Sequence, residues 1–183
     1  MEIREAQREV RSVYLNGSVG QAVSGIIWLA SAGLSTWVST RYGIIALAAG
    51  GAFIFLLTQL ILKLMGRPAS LRRENPFSQL AMQTAFIIPL SLPVIGAAAL
   101  YNLNWFYPAF MIVVGTHYMP FMTLYGMWQY GILAAALIGG GVLIGMYLPE
   151  SFAIGGWFTG IVLVLFAIVA WLITARKSSP QAA

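Results

Sequence analysis

Six stretches of this chain are each long and apolar enough to cross a lipid bilayer, and almost no charge interrupts them. A bilayer's hydrocarbon core takes about 20 consecutive apolar residues to span as a helix. The stretches run from about Val19 to Ser39, Tyr42 to Met65, Phe77 to Leu100, Trp105 to Trp128, Tyr130 to Leu148 and Phe152 to Ala175. No water inside the bilayer is available to satisfy a bare backbone, so each stretch should be a helix. The expected fold is all-α: a polytopic membrane protein, a six-transmembrane-helix bundle forming a single transmembrane domain over residues 1–183. Charged residues are 8% of the chain. Soluble domains carry about 25%, so a water-soluble fold of this size could not cover its surface.

The remaining segments set the expected orientation. Residues 1–15 read as a short amphipathic helix on the inner membrane surface, with Ile3, Val10 and Tyr14 on its apolar side and Glu5 and Arg8 on its wet side. Met1 to Arg11 is mostly charged or polar, and the first apolar run is long enough to span; the pattern is a retained helix rather than a cleaved leader. Gly66 to Pro76 holds most of the mid-chain charge, and Glu74-Asn75-Pro76 opens the third span. Pro149-Glu150-Ser151 turns between the last two spans. With the N-terminus inside, Arg4, Arg8, Arg11, Lys63, Arg67, Arg72, Arg73, Arg176 and Lys177 are all cytoplasmic, and Arg41 alone is outside. Orientation follows the side rich in Lys and Arg, so both termini are expected in the cytoplasm of a bacterial inner (cytoplasmic) membrane.

That bias also accounts for the net charge of +5 without invoking nucleic acid. The chain has no cysteine and no aspartate, and its only histidine is His117. Thiolate chemistry is excluded, and too few ligands remain for a metal site; no cofactor is expected.

The fourth span is the most unusual. It reads Gly115-Thr116-His117-Tyr118-Met119-Pro120, with Tyr125 beyond. An ionisable group at mid-bilayer is costly and ordinarily faces the bundle interior. Pro120 leaves the Thr116 carbonyl without its backbone donor, and a kink is expected there. The third span carries Pro89 and Pro93, also expected kinks, with Gln79 and Gln83 one turn apart and Thr84 and Ser91 on a shared face. Together these give a candidate ligand-binding set of His117, Tyr118, Tyr125, Thr116, Gln83, Thr84 and Ser91. The bland reading is a neutral histidine hydrogen-bonded to a neighbouring helix, beside bent but purely structural spans. The glycines of the second and fifth spans, Gly43, Gly50, Gly51 and Gly139 to Gly141, read as packing positions.

Three stretches carry a resemblance: Asn16-Gly17 followed by Gly25-Ile26-Ile27-Trp28; Glu74-Asn75-Pro76-Phe77; and Gly115-Thr116-His117-Tyr118-Met119-Pro120 with Leu124-Tyr125 after it. In their order they resemble an uncharacterised family of small bacterial membrane proteins, domain of unknown function 7010, over nearly the whole chain. The resemblance implies the six-span fold and puts weight on His117 and Pro120. It implies no activity.

Three functions compete. The leading one is small-molecule binding or transport through a pocket between spans three and four, with a small-molecule or lipid ligand. The alternative is a structural or regulatory membrane subunit that needs a partner subunit or a homo-oligomer. The last is an intramembrane enzyme on a lipid-like substrate, using His117 with Tyr118 or Tyr125. The scarcity of acids disfavours it, since such enzymes ordinarily need several carboxylates, histidines or a metal.

Overall fold

The computed structural model describes residues 1–68, 70–148 and 150–178, with side chains through Ala175. Pro149, Arg176 and Lys177, to which the sequence assigns a turn and two inside charges, lie outside these for all or for their side chains. Among the described residues there is no strand. The helices are α1 (Ile3–Tyr14), α2 (Ser18–Trp37), α3 (Thr40–Leu64), α4 (Phe77–Tyr101), α5 (Phe106–Tyr125), α6 (Gln129–Tyr147) and α7 (Ile154–Ser178). Helices α2 to α7 coincide with the six apolar stretches to within a few residues. Helix α5 ends three residues early, at Tyr125, because Gly126 takes left-handed geometry, φ 60°. A glycine there terminates a helix without a Cβ penalty.

Five helical segments are long and apolar enough to cross a membrane: α2 with its α1 extension, α3, α4, α6 and α7. The chain is therefore a helical membrane protein. The α5 helix is not among the five. His117, Pro108, Pro120, two threonines and three tyrosines dilute its hydropathy. It is also the helix that needs lipid compatibility least, because half of its 20 residues are buried, including Tyr107, Phe110, Val114 and Tyr118.

The bundle is built around α2 and α5. Helix α2 packs on α3 and α7; α5 packs on α6 and α4. The first helix of each three-helix half thus packs on the second helix of its own half and on the third helix of the other. The core lies between α2, α5, α6 and α7, around Trp28, Tyr107, Met111, Tyr130, Leu137 and Leu163, all under 2% exposed. Helices α3 and α4 lie outside, each held along one side. Small residues permit the close crossings. A Cβ at Gly43 would come within 2.7 Å of the Ser31 carbonyl, and one at Gly115 within 3.0 Å of the Ala134 carbonyl. Without a hydrophobic drive between helices in lipid, such close approach is a main source of association.

The end of the bundle carrying α1, the 65–76 segment and the α5–α6 turn is called basal here. The apolar face of α1 is Ala6, Val10 and Val13, each 5% exposed or less, whereas Ile3 is 66% exposed. Of the apolar side expected from Ile3, Val10 and Tyr14, Val10 is fully buried, Tyr14 is half-buried and Ile3 is exposed. The spacing of four and three puts Ala6, Val10 and Val13 on one stripe, and that stripe packs against protein. Gln7 Nε2 donates to the Thr123 carbonyl at 2.7 Å, and Arg11 donates to the Tyr125 carbonyl. These carbonyls lie in the last turn of α5, where no intrahelical donor remains and a positive charge is favoured. Glu9 accepts from the Arg72 backbone N–H at 2.7 Å, from Arg72 Nε at 3.2 Å and from Asn75 Nδ2 at 3.1 Å. Asn75 Nδ2 also donates to the Ala6 carbonyl, and its Oδ1 accepts from the Phe77 N–H to start α4. One buried asparagine therefore ties α1 to the first turn of α4.

Candidate functional site

His117 lies on the side of α5 that meets α4. Its Nδ1 is 2.9 Å from the Thr84 carbonyl oxygen. A carbonyl only accepts, so Nδ1 carries the proton and Nε2 is left with a lone pair. No hydrogen bond to Nε2 is made among the described residues. The imidazole packs against the rings of Tyr118 and Phe121, at centroid distances of 5.4 Å and 5.0 Å. The residue is half-buried, and its neighbours Thr116 and Met119 are exposed. An acceptor without a hydrogen bond would be costly wherever lipid rather than water surrounds it.

The backbone around this contact is short of donors. Thr84 is buried and satisfies its own hydroxyl on the Leu80 carbonyl at 2.7 Å. Pro89, Pro93 and Pro120 remove the N–H groups that would meet the carbonyls of Ala85, Pro89 and Thr116. Even so, α4 and α5 run as continuous helices through all three prolines. The prolines do not break the spans; they leave carbonyls open within them.

The structure brings His117, Thr84 and Tyr118 together and disperses the rest of the sequence-derived set. Tyr118 is buried between α2 and α6, its hydroxyl against Ser24 and its ring 6.0 Å from that of Tyr130. Tyr125 is buried two turns nearer the basal end, 5.0 Å from the Tyr130 ring. Thr116 and Ser91 bond back to their own helices, to the carbonyls of Ile112 at 2.9 Å and Ile87 at 2.7 Å. Gln83 is exposed and does not face His117. The reason is the register of α4, whose protein-facing stripe is Leu80, Thr84, Ile88 and Ile95. Gln83 lies on the flank of that stripe, about 100° around the helix from Thr84, and is exposed. Thr159 is fully buried on α7 with no hydrogen bond to its hydroxyl among the described residues.

A second polar arrangement was missed from the sequence. One face of α2 carries Ser18, Gln21, Ser24, Ser31 and Ser35, and it meets three buried tyrosines. Tyr107 lies 2.5 Å from Ser31 Oγ and 3.0 Å from Ser35 Oγ, and Ser31 Oγ donates to the Gly43 carbonyl at 2.8 Å. Gln21 Nε2 donates to Tyr130 Oη at 3.1 Å, and that hydroxyl donates to the Asn16 carbonyl at 2.8 Å. Asn16 Nδ2 reaches Thr174 Oγ1 at 2.7 Å. Between the two polar ends Trp28 fills the seam, 1% exposed and edge-on to Phe110 at 5.3 Å. The signal was the recurrence of polar side chains every three, four or seven residues within an otherwise apolar span.

Two surface depressions open at the basal end, one lined by Glu2, Glu5, Arg8, Glu9 and Arg72, the other by Arg11, Asn16, Gly126, Trp128 and Gln129 among others. Neither touches His117. Among the described residues no three His, Asp or Glu gather as metal ligands would.

Comparison with known proteins gives no match among curated proteins and none among solved structures. The family model described as "Family of unknown function (DUF7010)" matches residues 3–173, a span that includes the Asn16-Gly17 turn, the Asn75 tie and the His117–Thr84 contact. The chain is a member of that family of unknown function.

Proposed function

We propose that this protein binds a small amphiphilic molecule at His117, between α4 and α5, and that binding serves its transport. The observation that carries the proposal is the Nε2 lone pair of a half-buried histidine whose other nitrogen is engaged by the Thr84 carbonyl. The ligand's head is then a hydrogen-bond donor such as a hydroxyl, and its body is apolar enough to approach from the bilayer past Thr116 and Met119. The polar seam of α2, interrupted at Trp28, supports a transport reading over binding alone, because it runs through the bundle interior. The orientation proposed is six spans in a bacterial inner membrane with both termini cytoplasmic. An acid–base enzyme is less supported: the Tyr118 hydroxyl is engaged with Ser24 and Tyr125 is two turns away.

Two substitutions separate this reading from a structural histidine. Asparagine places an amide N–H where Nδ1–H was but offers nothing at the Nε2 position, whereas leucine removes both. Protein extracted from its own membranes should carry a co-purifying small molecule by native mass spectrometry. The expected result is that His117→Asn loses it at near-unchanged thermal stability, while His117→Leu loses both. Retention of the molecule by His117→Asn would refute the proposal.

A further inference from the structure

Helix α4 is held along one side only. Its buried residues are Thr84 and Ile95, and its outward stripe includes Phe86, Leu90 and Val94, between 54% and 75% exposed. Lipid covers such side chains well, so exposure of apolar residues alone asks for nothing. The same stripe, however, carries Gln79 and Gln83, both exposed and without a hydrogen bond among the described residues. At 3.6 residues per turn they lie about one turn apart, in one outward sector with Phe86 and Leu90 that is about 100° to 160° around the helix from Thr84 on the face that meets α5. Gln83 lies roughly 9 Å along the helix from Phe77, at 1.5 Å per residue. A side-chain amide at that depth carries two donors and an acceptor that lipid cannot satisfy.

The other peripheral helix provides the contrast. Along the stretch from Ile45 to Leu60, every exposed residue of α3 is apolar, and Thr58 and Gln59 are turned partly into the protein. Peripheral position does not by itself place amides outward; only α4 has them there.

We propose that the outward face of α4 is the interface with a second copy of this chain, with Gln79 and Gln83 paired to their counterparts across a twofold axis. An amide is both donor and acceptor, so it is complementary to itself, as an isologous interface requires. Glutamines serve as interhelical hydrogen-bonding groups in membranes, and the apolar residues beyond them supply the packing. The site at His117 lies where α5 meets the Thr84 face of α4 and is not part of this interface.

The absence of cysteine makes the test direct. Single cysteines are placed at 79, 83, 86 and 90 on α4 and, as controls, at Phe55 and Leu60 on α3, and the full-length protein is oxidised in its own membranes. The expected result is a crosslinked species of twice the chain mass for Gln83→Cys and for at least one neighbour on the stripe, with none for the α3 positions. The double variant Gln79→Leu/Gln83→Leu should lower the crosslinking of Leu90→Cys by about tenfold. Monomer at all four α4 positions would overturn the proposal. Crosslinks of equal yield from α3, or adducts of another mass, would also overturn it, the latter in favour of a different partner subunit.

Discussion

Asn16, Asn75 and His117 each have a polar side chain in a protein with few, and each is engaged differently. Asn16 adopts left-handed geometry, φ 54°, beside Gly17 at φ 80°, and so turns α1 into α2. Asparagine and glycine are the residues that tolerate this region. A Cβ at Gly17 would collide with the Tyr130 hydroxyl, so the turn needs glycine for space as well as for φ. Asn75 makes the tie described above, and His117 is engaged through Nδ1 alone. Ser31 offers a measure of how much the seam contributes. Its hydroxyl serves both Tyr107 and the Gly43 carbonyl. Interhelical hydrogen bonds in membranes contribute about 0.6 kcal/mol on average and up to about 1.7. Ser31→Ala should therefore lower stability by about 1 kcal/mol in reversible unfolding from lipid or detergent. An unchanged value would mean that Tyr107 finds another partner.

At the scale of elements, the basal clasp is the part sensitive to pH. Burial acts to raise the pKa of Glu9, but the Arg72 backbone N–H, Asn75, and the Arg72 side chain with its charge outweigh it and hold the carboxyl below its ordinary value of 4.5. A depressed carboxylate stabilises the fold above its unfolded pKa, and that contribution is lost as pH falls through the folded value. Hydrogen exchange on α1 should accordingly quicken as pH drops below 4.5, after correction for the intrinsic rate. Glu9→Gln should bring faster exchange already at neutral pH and flatten the dependence; exchange on α1 indifferent to both would contradict the clasp. The elements themselves were largely legible in the sequence, because a run of about 20 apolar residues has few alternatives to a helix. What each helix faces was less so. Apolar residues occur on both sides of α4, so hydrophobic periodicity could not tell the Leu80–Thr84–Ile88 side from the Gln79–Gln83 side, and Gln83 was assigned to the wrong face. That the stripe of α1 packs on protein was not legible for a related reason: an amphipathic helix reads the same whether its apolar stripe meets acyl chains or protein. The α2 seam escaped notice because serines are individually unremarkable, and only their spacing marks a face.

The whole molecule repeats one packing rule, α2 on α3 and α7, α5 on α6 and α4, around a core that is aromatic rather than charged. If nine of the ten basic residues are inside, a reporter active only outside should be silent when fused at Ala183 and active when fused after Tyr101. Activity at Ala183 would end the six-span reading. The proposed function turns on the bare Nε2 of His117. Because it is the only histidine, labelling the protein with ¹⁵N-histidine places the label on one ring. Solid-state NMR of the labelled protein in bilayers should find a neutral imidazole protonated at Nδ1, with the Nε2 resonance moving when the co-purified molecule is added back to stripped protein. A ring protonated at Nε2 instead, or an Nε2 resonance that does not respond to the molecule, would contradict the account.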